Sequence, residues 1–171
     1  RISAVGTVDS LPVPADYDGN GTAELAVWRP SSGVWYVKDV ATELWGMPGD
    51  IPVPADYDGN GTADIAVFRR STATWYVRSQ FAEVWGLPGD LPVPLDRSGD
   101  GRVELAVYRP STGTWHIRNR ATNTSEQIVW GAPGDLPVGV RMPVLFRNPT
   151  DFDGDGRADL TIFRPSSRTW F

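Results

Sequence analysis

The sequence predicts an all-β fold, a four-bladed β-propeller of roughly 40-residue repeats closed by its N-terminal strand. Two observations lead there. First, three segments align without a gap at a spacing of 40 residues: P-V-P-A-D-Y-D-G-N-G-T-A-E-L-A-V-W-R-P from Pro12, P-V-P-A-D-Y-D-G-N-G-T-A-D-I-A-V-F-R-R from Pro52 and P-V-P-L-D-R-S-G-D-G-R-V-E-L-A-V-Y-R-P from Pro92. A fourth copy, D-F-D-G-D-G-R-A-D-L-T-I-F-R-P, starts at Asp151. Repeat periods of about 20–50 residues mark solenoids, propellers and arrays. Second, the chain is dense in turn formers, with 18 Gly and 15 Pro among 171 residues, and no window carries a helical apolar face. Four short strands per repeat is the size of a propeller blade. A parallel solenoid is the competing architecture, but its turns are usually shorter and poorer in aromatics.

Each repeat reads as the same succession of strands. The run Glu24–Arg29 and its equivalents are apolar on both faces, as expected of a strand sandwiched between neighbouring sheets. R-P-S-S-G (Arg29–Gly33) and R-P-S-T-G (Arg109–Gly113) are turn stretches that make hairpins with the runs V-W-Y-V-K from Val34 and T-W-H-I-R from Thr114. A third run ends in W-G-x-P-G-D, at Trp45, Trp85 and Trp130, where Pro and Gly force a tight turn. The repeats span about 12–51, 52–91, 92–136 and 137–171, the last completed by residues 1–11. Pairing the two chain ends in this way would remove an exposed sheet edge. Two insertions break the repeat, at Thr122–Gln127 and Gly139–Asn148.

Composition narrows the function. The chain has no Cys and one His, which excludes disulfides, thiol nucleophiles, Cys-based zinc sites and multi-His metal centres. No run of 18 apolar residues is present, so no membrane insertion is expected. A net charge of −5 argues against a nucleic-acid partner. That average hides a pattern: thirteen of the 21 acidic residues lie in four loops, leaving eight acids against 16 basic residues elsewhere.

Those loops follow D-x-D/S-G-N/D-G-x-x-D/E. The first holds Asp16, Asp18, Asn20 and Glu24, and the second Asp56, Asp58, Asn60 and Asp64. The third holds Asp96, Ser98, Asp100 and Glu104, and the fourth Asp151, Asp153, Asp155 and Asp159. Side-chain oxygens at positions 1, 3 and 5 of a Gly-turned loop converge, and the position-7 carbonyl of Thr22, Thr62, Arg102 or Arg157 can join them. Hard oxygen ligands on a flexible loop suit Ca²⁺, up to four ions in all, better than Mg²⁺. An EF-hand needs Glu at position 12, where this chain has Val27, Val67, Val107 and Ile162, so the closing ligand is the acid at position 9. The alternative is an Asp/Asn/Gly turn that binds nothing. Without a cation, though, carboxylates packed this closely repel one another for no structural gain. Ser98 makes the third site the weakest.

The D-Y-D-G-N-G-T-A-E-L-A-V-W-R-P stretch and its three copies resemble FG-GAP/VCBS-type repeats, the calcium-loop blades of integrin-like and many bacterial extracellular β-propellers. The resemblance covers the chain apart from the two insertions. It implies one Ca²⁺ loop per blade, ligated by the residues just named, and an extracellular role in adhesion, glycan binding or protein binding.

The remaining residues are less specific. Trp45, Trp85 and Trp130 could stack on sugar rings, which would make the chain a lectin-like module or the accessory domain of a secreted protein. Regularly repeated aromatics also pack between blades, and that is the simpler explanation. Arg29, Arg69, Arg109 and Arg164 are expected in ion pairs with loop acids or over aromatic rings. His116 reads as a tolerated substitution at a Tyr position. No constellation suggests an enzyme, because the carboxylates recur identically where an active site normally breaks symmetry. The expected function is a non-catalytic, calcium-stabilised, secreted bacterial binding module. Its partner is a glycan, or else an extracellular protein (for adhesion, inhibition or self-association) recognised through the insertions at 122–127 and 139–148. A first residue of Arg rather than Met fits a mature or trimmed form.

Overall fold

A computed structural model describes residues 9–138 and 151–171. Among these, 15 strands form four antiparallel sheets arranged as a four-bladed β-propeller, with no helix. The first blade is β1 (Leu11–Pro12), β2 (Ala26–Arg29), β3 (Val34–Val37) and β4 (Ala41–Leu44). The second is β5 (Asp50–Pro52), β6 (Ala66–Arg69), β7 (Thr74–Val77) and β8 (Phe81–Val84). The third is β9 (Leu91–Pro92), β10 (Leu105–Arg109), β11 (Thr114–Asn119) and β12 (Thr124–Val129). The fourth is β13 (Leu136–Pro137), β14 (Ile162–Arg164) and β15 (Thr169–Trp170). Within every sheet the strands lie side by side in chain order.

The strands are short because turn residues cut them. The Arg29–Gly33 and Arg109–Gly113 turns close tight hairpins, with the amides of Gly33 and Gly113 bonded to the carbonyls of Arg29 and Arg109 at 2.8 and 2.9 Å. The insertion at 122–127 lengthens the outer hairpin of the third blade. There β11 and β12 run six residues each, against four in β3, β4, β7 and β8. Of residues 1–11, expected to complete the fourth blade, 1–8 lie outside the described residues, as does the insertion at 139–148. Leu11, the last residue of the 1–11 segment, pairs instead with Trp28 and belongs to the first blade.

The core lies between blades. Ala26, Trp28, Trp35 and Val37 of the first blade are covered by Val67, Ile65 and Tyr76 of the second. Phe68, Trp75, Val77 and Tyr57 are covered by Leu105 and Val107 of the third. Tyr108, Trp115 and Ile117 are covered by Ala158, Ile162 and Leu160 of the fourth. Thus β6 and β10, with a blade on either side, bury both faces, whereas β2 alternates buried and half-buried residues. One backbone bond repeats at the three junctions between successive blades: the amides of Ala63, Val103 and Ala158 donate to the carbonyls of Asp16, Asp56 and Asp96 at 2.7–2.8 Å.

Candidate metal loops and the blade clasps

Each acidic loop bulges from the connection between the first two strands of a blade. In the first three blades an isolated bridge closes its base, Ala15 to Glu24, Ala55 to Asp64 and Leu95 to Glu104. That bridge returns the position-9 acid to the side of position 1. Inside, Gly19 and Gly21 take φ of +80° and +86°, a conformation open to glycine and costly for other residues, so the chain can turn its amides inward. The Asp16 carboxylate accepts from the amides of Gly19 and Gly21 at 2.7 and 2.9 Å, and Asp18 from Asn20 at 3.0 Å. Asn20 accepts from Thr22, and Glu24 accepts from the Tyr17 amide at 2.7 Å. The same pattern recurs around Asp56, Asp58, Asn60, Thr62 and Asp64, and around Asp151, Asp153, Asp155, Arg157 and Asp159.

The folding of these loops brings carboxylates together. Asp16, Asp18 and Glu24 offer oxygens within 4.8 Å of one another, as do Asp56, Asp58 and Asp64, and Asp151, Asp153 and Asp159. The donor set is all oxygen, the set a hard divalent cation takes. Among the described residues the third loop assembles no such trio: Ser98 stands at position 3, and Glu104 accepts from the Arg97 amide and the Asn119 side chain. Burial, with Asp58 and Asp56 nearby, pushes the Asp64 carboxyl above its ordinary value, while the Tyr57 amide pulls the other way. Burial likewise raises Glu104, with Asp96 adding to the effect.

The remaining acids behave differently. Seven of the eight outside the loops are ion-paired: Asp39, Glu43, Asp50, Glu83, Asp90, Glu126 and Asp135. Among the described residues none of the thirteen loop acids pairs with any Lys or Arg. The repeated arginines go instead to the aspartate that ends W-G-x-P-G-D. Arg69 holds Asp50 through two bonds of 2.9 and 3.0 Å, Arg109 holds Asp90 at 2.9 and 2.8 Å, and Arg164 holds Asp135 twice at 2.9 Å. These arginines also stack, Arg29 over Tyr36, Arg69 over Tyr76 and Arg164 over Phe171. Both expected partners, an acid and an aromatic ring, are therefore used, but the acid is not a metal-loop residue. A repeat-wide signal marked these clasps: Asp50, Asp90 and Asp135 recur in register with Arg69, Arg109 and Arg164. Because they sit in a turn motif, they read as turn formers.

The tryptophans tie the blades. The Trp28 and Trp35 indoles both donate to the Trp45 carbonyl, Trp75 to that of Trp85 and Trp115 to that of Trp130, at 2.9–3.2 Å. Trp45 and Trp85 reach across to the next blade, donating to the Tyr76 and His116 carbonyls at 3.1 Å, whereas Trp130 is exposed. His116 keeps its ring in the Tyr position, and its buried Nε2 has no hydrogen-bond partner. No family model, curated protein or solved structure matches the chain. Fold and loops together define a repeat β-propeller that presents acidic clusters on successive blades.

Proposed function

We propose that the chain is a non-catalytic, calcium-stabilised extracellular binding module of the FG-GAP/VCBS type. One observation carries this reading. Among the described residues, seven of the eight other acids are ion-paired with arginine or lysine, and none of the thirteen loop acids is. Charges gathered within 4.8 Å, three times over, need a counter-charge, and a divalent ion supplies it. Asp16, Asp18 and Glu24, with their equivalents in the second and fourth blades, would hold Ca²⁺, and it would stiffen each loop against its neighbour. The third loop would hold it more weakly.

For the partner, the hairpin of β11 and β12 favours a protein. The insertion extends it, and β12 is the outermost strand of its sheet, exposed along most of its length, so a partner strand could add to it. The glycan alternative rests on Trp130, since the Trp45 and Trp85 indole N–H groups are already spent between blades.

Extracellular sites bind Ca²⁺ with Kd on the order of 10⁻⁴–10⁻³ M. At about 1 mM Ca²⁺ each site then adds roughly 0.4–1.4 kcal/mol, so three sites raise the melting temperature by about 3–15 °C over the value in excess EGTA. Asp56→Asn should lower the binding stoichiometry by one, and Asp96→Asn should change it least. A melting temperature indifferent to calcium, with no heat of binding, refutes the reading.

A further inference from the structure

Three of the four blade faces are covered by the same element of the next blade, the residues at and just before the start of its second strand: Ile65 and Val67, Leu105 and Val107, Leu160 and Ile162. Among the described residues, one copy of that element has nothing beneath it. Leu25 is 72% exposed, while Leu105 at the same repeat position is fully buried. Among the described residues, one face likewise has nothing over it. Trp170 is 60% exposed where Trp35, Trp75 and Trp115 are at most 1%, and Phe152 is 66% exposed where Tyr57 is 6%. The junction bond shows the same two ends. Three amide-to-Asp carbonyl bonds join successive blades, and among the described residues the fourth of the series, from Ala23 to Asp151, is not made.

We propose that two copies of the chain dock head to tail, the first blade of each covering the fourth blade of the other. Leu25 and Val27 of one copy take the place over Phe152, Phe163 and Trp170 of its partner that Leu105 and Val107 take over Tyr57, Phe68 and Trp75. The Ala23 amide then meets the Asp151 carbonyl across the junction. The occupant is a second copy because the surface that fits this face is already built three times within the chain. A strand added to the edge of β15 would extend the sheet in its own plane and leave the face bare. The contact is heterologous, and such contacts close only when the rotation allows. Two copies make eight blades, within the usual range of four to eight for propellers.

Light scattering after size exclusion, in calcium, at tens to hundreds of micromolar chain, tests this. The chain should run at twice its own mass. Leu25→Glu and Trp170→Glu should each run as monomers with unchanged far-UV circular dichroism, and Phe152→Glu provides a second variant of the fourth-blade face. An equal mixture of Leu25→Glu and Trp170→Glu should recover a dimer, because each carries the face the other has lost. A monomeric parent chain, an open series of larger oligomers, dimers that survive either substitution, or a mixture that stays monomeric overturns the proposal.

Discussion

Replacing Arg69 with alanine isolates what a blade clasp contributes. Arg69 grips Asp50 with two hydrogen bonds, and the Asp50 side chain is 1% exposed while Arg69 is 23% exposed. Without the guanidinium, Asp50 keeps only its bond from the Met47 amide, at 3.0 Å. Stranding one partner of a buried pair costs about 3–5 kcal/mol. Arg69 reaches solvent, so water can enter behind it, and the expected loss is about 2–3 kcal/mol, or ~5–10 °C of melting temperature at this size. Asp50→Ala should cost less than Arg69→Ala because the arginine left behind can hydrate. The double variant should be clearly more stable than the sum of the two losses implies, with a coupling of about 1–2 kcal/mol. Chemical denaturation of all four proteins at one calcium concentration measures the cycle. A loss below about 0.5 kcal/mol for Arg69→Ala, or strict additivity, would show that the clasp is only a surface pair and refute the reasoning.

The other expectations concern single positions. His116→Tyr should stabilise by about 1 kcal/mol, because Tyr36 and Tyr76 accept 3.2 Å bonds from Arg29 and Arg69 that the histidine ring does not make; thermal melts decide it. Gly131→Ala should cost about 2–3 kcal/mol, since a Cβ there lies 2.5 Å from the Tyr108 hydroxyl at φ +136°. Gly49→Ala, at φ +92° with nothing within 4 Å, should cost only its backbone strain, and equal losses would be a refutation. The pH profile of the calcium-free protein should have two limbs. Asp64 and Glu104 hold their protons more tightly when folded, so stability rises as pH falls from neutral toward the carboxylate range, and Asp64→Asn with Glu104→Gln removes that rise. Asp135 is held below its ordinary value by Arg164, so its contribution is complete at neutral pH and is lost as pH falls through the lowered pKa; Arg164→Ala should soften that acid limb.

The fold was legible in the sequence because every contact that defines it repeats. A 40-residue period places the same turn residues between the same apolar runs, and each blade needs only its neighbours. The loops were legible for a related reason, since Asp at positions 1 and 3 with Gly at 4 and 6 has few other uses. Less could be read where one residue type serves two physical ends. Asp50 and Asp56 are both repeated aspartates beside glycine, yet one is buried under Arg69 and the other faces its own loop amides. Only the pairing across β5 and β6, Asp50 opposite Arg69, separates them. The tryptophans were ambiguous for a similar reason: Trp85 and Trp130 share a motif, yet Trp85 donates to the His116 carbonyl of the next blade while Trp130 is exposed. The third loop departs from the others at Ser98, a difference visible in the residue itself.

That division of the aspartates bears on how the protein is stabilised. Arginine is the stronger choice for a clasp, because its planar fork matches a carboxylate with two parallel bonds and its charge does not depend on pH. The chain uses that solution at Asp50, Asp90 and Asp135, where the acid is buried and the fork can lie beside it. It cannot use it in the loops. Three carboxylates within 4.8 Å leave no room for three guanidinium groups, and a single one would satisfy only one acid. On the proposed calcium reading, a small divalent ion would touch all three at once and would leave when its concentration fell. The arginine clasps join the first two strands of the second, third and fourth blades without any ion, whereas on the proposed reading the loops would make the stiffness of the blade junctions conditional on calcium. The carbonyls of Asp16, Asp56 and Asp96 tie the first residue of these three loops directly to the next blade, so an ion that fixed such a loop would also fix the junction.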